Sequence, residues 1–186
     1  MPATPPSDTA FWVASLPQNG SKPFNLRPSA AELATLAQEL GLLALRKLSF
    51  SGEITGSGRS DWHLTGKLGA TVVQPCSVTL EPVTTRIDTV VTRRFVKDYE
   101  EIDSPEAEVP EDDTTEPLGA WIDPASVMIE ALVLALPLYP RAPGAELGEA
   151  VFAAPGTAPM RDEDARPFAG LASLRDAAKD GGDPEA

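Results

Sequence analysis

Hydrophobic and polar positions alternate along three stretches of the chain and recur at helical spacing in two others. In the first alternating run Leu48, Phe50, Gly52 and Ile54 are interleaved with Ser49, Ser51, Glu53 and Thr55, the period of a strand with one buried face. The glycines of "GSG" at 56–58 supply a turn. After it Trp62, Leu64, Leu68, Ala70 and Val72 share one face, with Thr65, Lys67 and Thr71 on the other. Cys76, Val78 and Leu80 continue that even-numbered apolar face past Pro75. A third run, "TTRIDTVVTRRFV", sets Ile87, Val91 and Phe95 against Asp88 and Arg94. "FWVASL" at 11–16 reads as a short first strand.

The first helical pattern is "RPSAAELATLAQELG". Ser29 and Glu32 form a capping box, Leu33, Leu36, Ala37 and Leu40 recur on one face, and Gly41 supplies the stop. The second is "WIDPASVMIEALVLALP", with Asp123 as N-cap, Pro124 at the first helical position and Pro137 as terminator. Nearly all its faces are apolar, which predicts a buried helix. Strand runs joined by short turns, with two helices, predict an α+β fold: an antiparallel sheet or small open barrel packed with the two helices, with an acidic loop and flexible termini. The domain is expected over 11–139. The Pro-rich residues 1–10 are expected to be disordered. Residues 140–186 are expected to form a linker, a short docking segment (Phe168, Leu171, Leu174) and a flexible tail.

Composition adds limits. The chain of 186 residues suits one medium domain with tails. Its longest apolar stretch, 127–136, is too short for a membrane span. The opening "MPATPPSDTA" has neither the basic start nor the apolar run of a signal peptide, so a soluble cytoplasmic protein is predicted. The net charge of −13 is unevenly spread. Residues 1–97 carry 10 Lys+Arg and 7 Asp+Glu, residues 98–116 carry ten acids and no base, and residues 117–186 carry 5 bases and 11 acids. Acidity therefore belongs to the loop and the tail.

Candidate chemistry is sparse. The single cysteine, Cys76, permits no internal disulfide. On the apolar face of its strand it reads as a small packed hydrophobe rather than a nucleophile. His63, the only histidine, falls on the polar face, and two such ligands cannot make a structural zinc site. The acidic run lacks the spacing of a calcium loop, and "GSGRS" at 56–60 is a hairpin turn rather than a phosphate cradle. No catalytic residue, metal ligand or cofactor-binding residue is assigned. Arg86, Arg93, Arg94 and Lys97 gather at one strand. They are read first as charges that keep an edge strand soluble and pair with nearby acids, and second as a patch for RNA phosphates.

At "VVQPCSVTLEPV", the alternating run after it, "LALPLYP" and "RPFAGL", the sequence resembles the YceD family of large ribosomal RNA subunit accumulation proteins. The family's ordered elements correspond to residues 76–83, 87–95, 98–116, 123–137 and 167–174, and Cys76, Glu81 and Pro82 carry its structural motif. The commoner form has a second cysteine at the position of Thr79 and further ones after the second helix; this sequence has neither. The resemblance implies a ribosome-biogenesis role in accumulation or processing of 23S ribosomal RNA; with no metal-binding carboxylate cluster or histidine pair for cleavage in the sequence, a non-enzymatic factor is expected. Its implied partner is a large-subunit RNA precursor or a basic ribosomal protein. An acidic chaperone that shields a ribosomal protein without touching RNA is the alternative, and an enzyme acting through Cys76 ranks behind both.

Overall fold

A computed structural model describes residues 4–99 and 114–146, together with 153, 154, 156, 157 and 171. The chain divides into two units, Met1–Ala145 and Glu146–Ala186. In the second, the Thr157 N–H donates to the Ala154 carbonyl at 3.0 Å. The docking segment expected at 167–174 lies outside the described residues except for Leu171, as do residues 100–113 of the acidic run.

In the first unit the elements are β1 (Phe11–Trp12), β2 (Ser21–Leu26), α1 (Ala30–Glu39), β3 (Ala44–Ser57), β4 (Asp61–Pro75), β5 (Pro82–Val96), β6 (Thr115–Pro117), β7 (Trp121–Ile122) and α2 (Pro124–Ala135). Five strands form one open sheet in the order β2-β3-β4-β5-β6, and β1 pairs with β7 in a small second sheet. The sheet is mixed, because β6 runs parallel to β5 while the other neighbours are antiparallel. The fold is α+β, and the sheet does not close into a barrel.

Parity of side chains explains the layering. Phe50, Ile54, Leu64, Leu68, Ala70, Val72, Ile87, Val91 and Phe95 are buried on one sheet face. Val127, Met128, Ala131 and Leu132 of α2 join the same cluster, while Leu33, Leu36 and Leu40 of α1 pack against its margin. The capping box forms as the sequence predicts: the Glu32 N–H donates to Ser29 Oγ and the Ser29 N–H to Glu32 Oε2. Asp123 caps α2 through the Ala125 N–H. It also accepts from the Ser7 and Thr9 hydroxyls at 2.8 and 3.1 Å, so part of the N-terminus expected to be disordered is tied to the α2 cap.

Four local expectations need correction. The first strand stops at Trp12 and a 3-10 turn takes Val13–Ser15. β4 ends at Pro75, so Val78 and Leu80 do not extend the core face; Leu80 is exposed with φ 62°. α2 is buried only in part, since Val133 and Leu134 at its end are exposed. β2 was not apparent from the pattern: only Phe24 of its six residues is buried, and Pro23 is tolerated because the strand lies at an edge.

Candidate nucleic-acid interface

The helices lie on one side of the sheet, which leaves the side chains of opposite parity on an open face. Cross-strand register sets their neighbours. Thr55, His63 and Arg94 lie in one row, Ser51, Lys67 and Val90 in another, and Arg46, Thr71 and Arg86 in a third. Arg94, Lys67, Arg46 and Arg86 are all exposed.

Basic side chains gather at the Arg46 end. Arg27, Lys47 and Arg86 line a shallow cleft of about 540 Å³ together with Ser49 and Thr71. Lys47 reaches it because the β3 register shifts between Arg46 and Ser49. This bulge holds Lys47 at φ 52°. A side chain in that left-handed region costs ~1–2 kcal/mol, and glycine is the usual occupant of such bulges. A residue kept under strain in a basic cleft is a reason to look for a ligand there.

Arg86 folds across Gly69, where an added Cβ would sit 2.6 Å from its Nη2. It donates through Nε to Asp88 Oδ2 at 2.8 Å and reaches Thr71 Oγ1 at 3.4 Å. The hydrogen bond from Arg86 holds the Asp88 carboxyl below the usual carboxylate range, and the same bond raises the guanidinium further. The charge of Arg86 is thus balanced locally. Among the described residues, Arg27, Arg46, Lys47, Lys67 and Arg94 take part in no salt bridge. By strand parity Glu53, Asp61 and Asp88 are the acids of this face, and Asp61 is engaged by the Lys97 N–H.

The four basic residues singled out from the sequence are separated by the fold. Arg86 and Arg94 lie on the open face. Lys97 follows β5, where its N–H donates to Asp61 Oδ1. Arg93 points the other way and is 8 % exposed. Its Nε lies 3.0 Å from Glu116 and its Nη2 meets Glu130 of α2. Burial, then the neighbouring Glu130 carboxylate, push Glu116 upward against the opposing pull of Arg93. Arg93 therefore ties β5, β6 and α2 together and does not face the open side. Sequence reasoning missed Arg27, Arg46 and Lys47. Their signal was present: Leu45 and Leu48 are both buried although they differ in parity, which requires a bulge between them.

Cys76 stands apart from this face. Its side chain is buried but lies outside the main core cluster, under the loop at 76–81 and the segment that follows α2. Sγ accepts the N–H groups of Val78 and Thr79, each at 3.4 Å, and of Ala142 at 3.3 Å. The Thr79 hydroxyl first, then the Ala142, Thr79 and Val78 amides, lower the thiol to about 6. The Ser77 N–H and hydroxyl both donate to the Pro140 carbonyl, and the Gln74 amide to that of Pro137. Glu81 closes the loop through its carbonyl, which accepts the Cys76 N–H at 2.7 Å, and Pro82 opens β5 opposite Pro75. The thiol is a hydrogen-bonded knot between two segments, more than the apolar packing residue expected.

Among the described residues no group of three or more His, Cys, Asp or Glu is placed to hold a metal ion, and no helix is long and apolar enough to cross a membrane. The family model described as Large ribosomal RNA subunit accumulation protein YceD matches residues 64–175, more than half of the chain. No curated protein and no solved structure matches it.

Proposed function

We propose, for a chain that belongs to the YceD family of large ribosomal RNA subunit accumulation proteins, a non-enzymatic role in the cytoplasm: binding a large-subunit RNA precursor on the open face of its sheet during ribosome assembly. One observation carries this reading. Arg27, Arg46, Lys47, Lys67 and Arg94 stand on or beside that face without acidic partners among the described residues. Phosphate contacts by such side chains supply sequence-independent affinity through counterion release. The β-rows space them across three strands, so a folded or single-stranded RNA backbone is the ligand such a surface fits. Arg86 contributes less, since Asp88 already neutralises it.

The test is binding of a 23S precursor fragment to the full chain and to a variant with Arg46, Lys47, Lys67 and Arg94 all changed to Ser. Affinity is expected to fall about tenfold or more, with a shallower salt dependence. Undiminished binding would sink the reading. Sedimentation of lysate with and without ribonuclease gives the cellular counterpart: association with precursor particles that ribonuclease abolishes.

The second reading, a chaperone for a basic ribosomal protein, draws on the ten acids and no base of residues 98–116. It predicts a ribosomal-protein complex that survives ribonuclease and weakens steeply with salt.

A further inference from the structure

The two edges of the five-stranded sheet are built differently. β2 is six residues long, carries Lys22 and is interrupted by Pro23, all devices that discourage pairing with another chain. β5 is 15 residues long. Its register with β4 runs from Pro75↔Pro82 to Trp62↔Phe95 without a shift. Among the described residues β6 pairs only with Arg94, Phe95 and Val96, so residues 84–92 present an open edge. The proline of β5 stands at its first position, and the charges within 84–92, Arg86 and Asp88, cancel each other. Among the described residues, then, this edge is neither interrupted by proline nor left with a net charge.

The groups along this edge are fixed by the β6 contacts. The Arg94 N–H donates to Thr114 and the Val96 carbonyl accepts from Leu118, so even-numbered residues direct their backbone groups outward. In an unshifted strand the same holds for Thr84, Arg86, Asp88, Val90 and Thr92. Odd-numbered Ile87 and Val91 point into the core.

We infer that residues 84–92 pair antiparallel with the same strand of a second copy of this chain, about a twofold axis at Ile87, to join two sheets into one. The sequence around that axis, Thr85-Arg86-Ile87-Asp88-Thr89, reads the same in both directions with the charge inverted. In this register Arg86 faces Asp88 of the second copy and Asp88 faces its Arg86. Ile87 meets Ile87, Thr85 meets Thr89 and Val83 meets Val91. Opposite charges, threonine pairs and β-branched pairs are the favourable cross-strand combinations. Outward-directed Arg86 and Asp88 form the hydrogen-bonded pairs, and Ile87 forms a close non-hydrogen-bonded pair. Moving the axis by one residue sets Arg86 against Arg86 or Asp88 against Asp88, so charge selects the register.

Apolar surface continues beside the edge. Leu134 of α2, 73 % exposed, stands beside a groove between α2 and β5 that Val91, Ala131 and Ala135 also line. A second copy placed on β5 would cover part of it. The pairing does not rest on RNA binding, and the quadruple serine variant above leaves both Arg86 and Asp88 in place.

Sedimentation velocity and light scattering of the full chain, without RNA, test the inference over a hundredfold range of concentration. The wild type is expected to approach twice its mass of 19.6 kDa. Arg86→Asp and Asp88→Arg are each expected to raise the dimer dissociation constant about tenfold or more, because each sets like charges face to face. An equimolar mixture of the two is expected to associate as a heterodimer, and the double exchange R86D/D88R to dimerise alone. Circular dichroism confirms folding. Should a single reversal fail to fold, Val90→Pro replaces it, removing one outward N–H while leaving the β4 ladder intact. A wild type that stays monomeric throughout, single variants that dimerise as before, or a mixture that does not associate would each overturn the pairing.

Discussion

Cys76 shows how far one residue is readable from its neighbours in sequence. Alternation along β4 assigns it to the buried side, and its side chain has no exposed surface. Its partners are a different matter, because the Ala142 amide lies 66 positions away and no local pattern carries that contact. Thr79 holds the position of the second cysteine in the commoner form of the family, and here its hydroxyl and amide both serve the first thiol. Hydrogen bonds therefore fasten the loop at 76–81 to the segment after α2. The lowered thiol has a consequence for stability. A group that ionises more easily when folded contributes stability present above its unfolded pKa, ~8.5 for a thiol, and lost as pH falls through its folded value, about 6. The wild type is accordingly expected to gain resistance to urea between pH 6 and pH 9 relative to Cys76→Ser, whose hydroxyl does not ionise in that window. Parallel pH profiles for the two proteins would show that the folded thiol does not ionise there. Alkylation of native Cys76 is expected to be slow all the same, since access rather than ionisation limits it.

At the scale of elements, the helices and the three long strands follow from local chemistry. The Ser29–Glu32 box starts α1, Asp123-Pro124 starts α2, and a period-two pattern marks most of β4 and β5. What local pattern does not carry is pairing between distant short segments: β2 on β3, β6 on β5, and β1 on β7. Backbone hydrogen bonds from Arg94 to Thr114 and from Leu118 to Val96 dock β6, and Arg93, which the alternation assigns to the core side, adds ion pairs to Glu116 of β6 and Glu130 of α2. Removing one member of a fully buried ion pair costs ~3–5 kcal/mol. Here the carboxylate side chains of Glu116 and Glu130 are 38 % and 50 % exposed, so solvent screens part of the loss. Arg93→Met is expected to destabilise by about 2 kcal/mol in urea denaturation, and to increase hydrogen exchange at β6 before the β4–β5 ladder is affected. A change within ~0.5 kcal/mol would mean that the arginine contributes little beyond its stem. The same variant leaves the open face intact and is expected to keep RNA affinity per folded molecule.

Over the whole molecule, charge is segregated in sequence and so invisible in the net value. The chain carries −13 in total, yet residues 1–97 hold an excess of three bases, and the open sheet face collects several of them without an ion-pair partner among the described residues. Composition alone argues against a nucleic-acid ligand; division of charge along the chain, followed by strand register, removes that objection. The acids at 100–113 number eight and join the end of β5 to β6 through the sequence. A run of like negative charge repels a polyanion and favours a basic partner most strongly at low ionic strength. Replacing those eight with Gln and Asn is expected to raise affinity for a 23S precursor fragment roughly threefold to tenfold at low salt, with the gain fading as screening shortens the field. The same replacement is expected to weaken any complex with a basic ribosomal protein, and the two effects together distinguish the readings. A gain for RNA without loss of a protein partner supports the sheet face as the working surface. Loss of a ribosomal protein with no change for RNA would make the acidic segment the working surface instead.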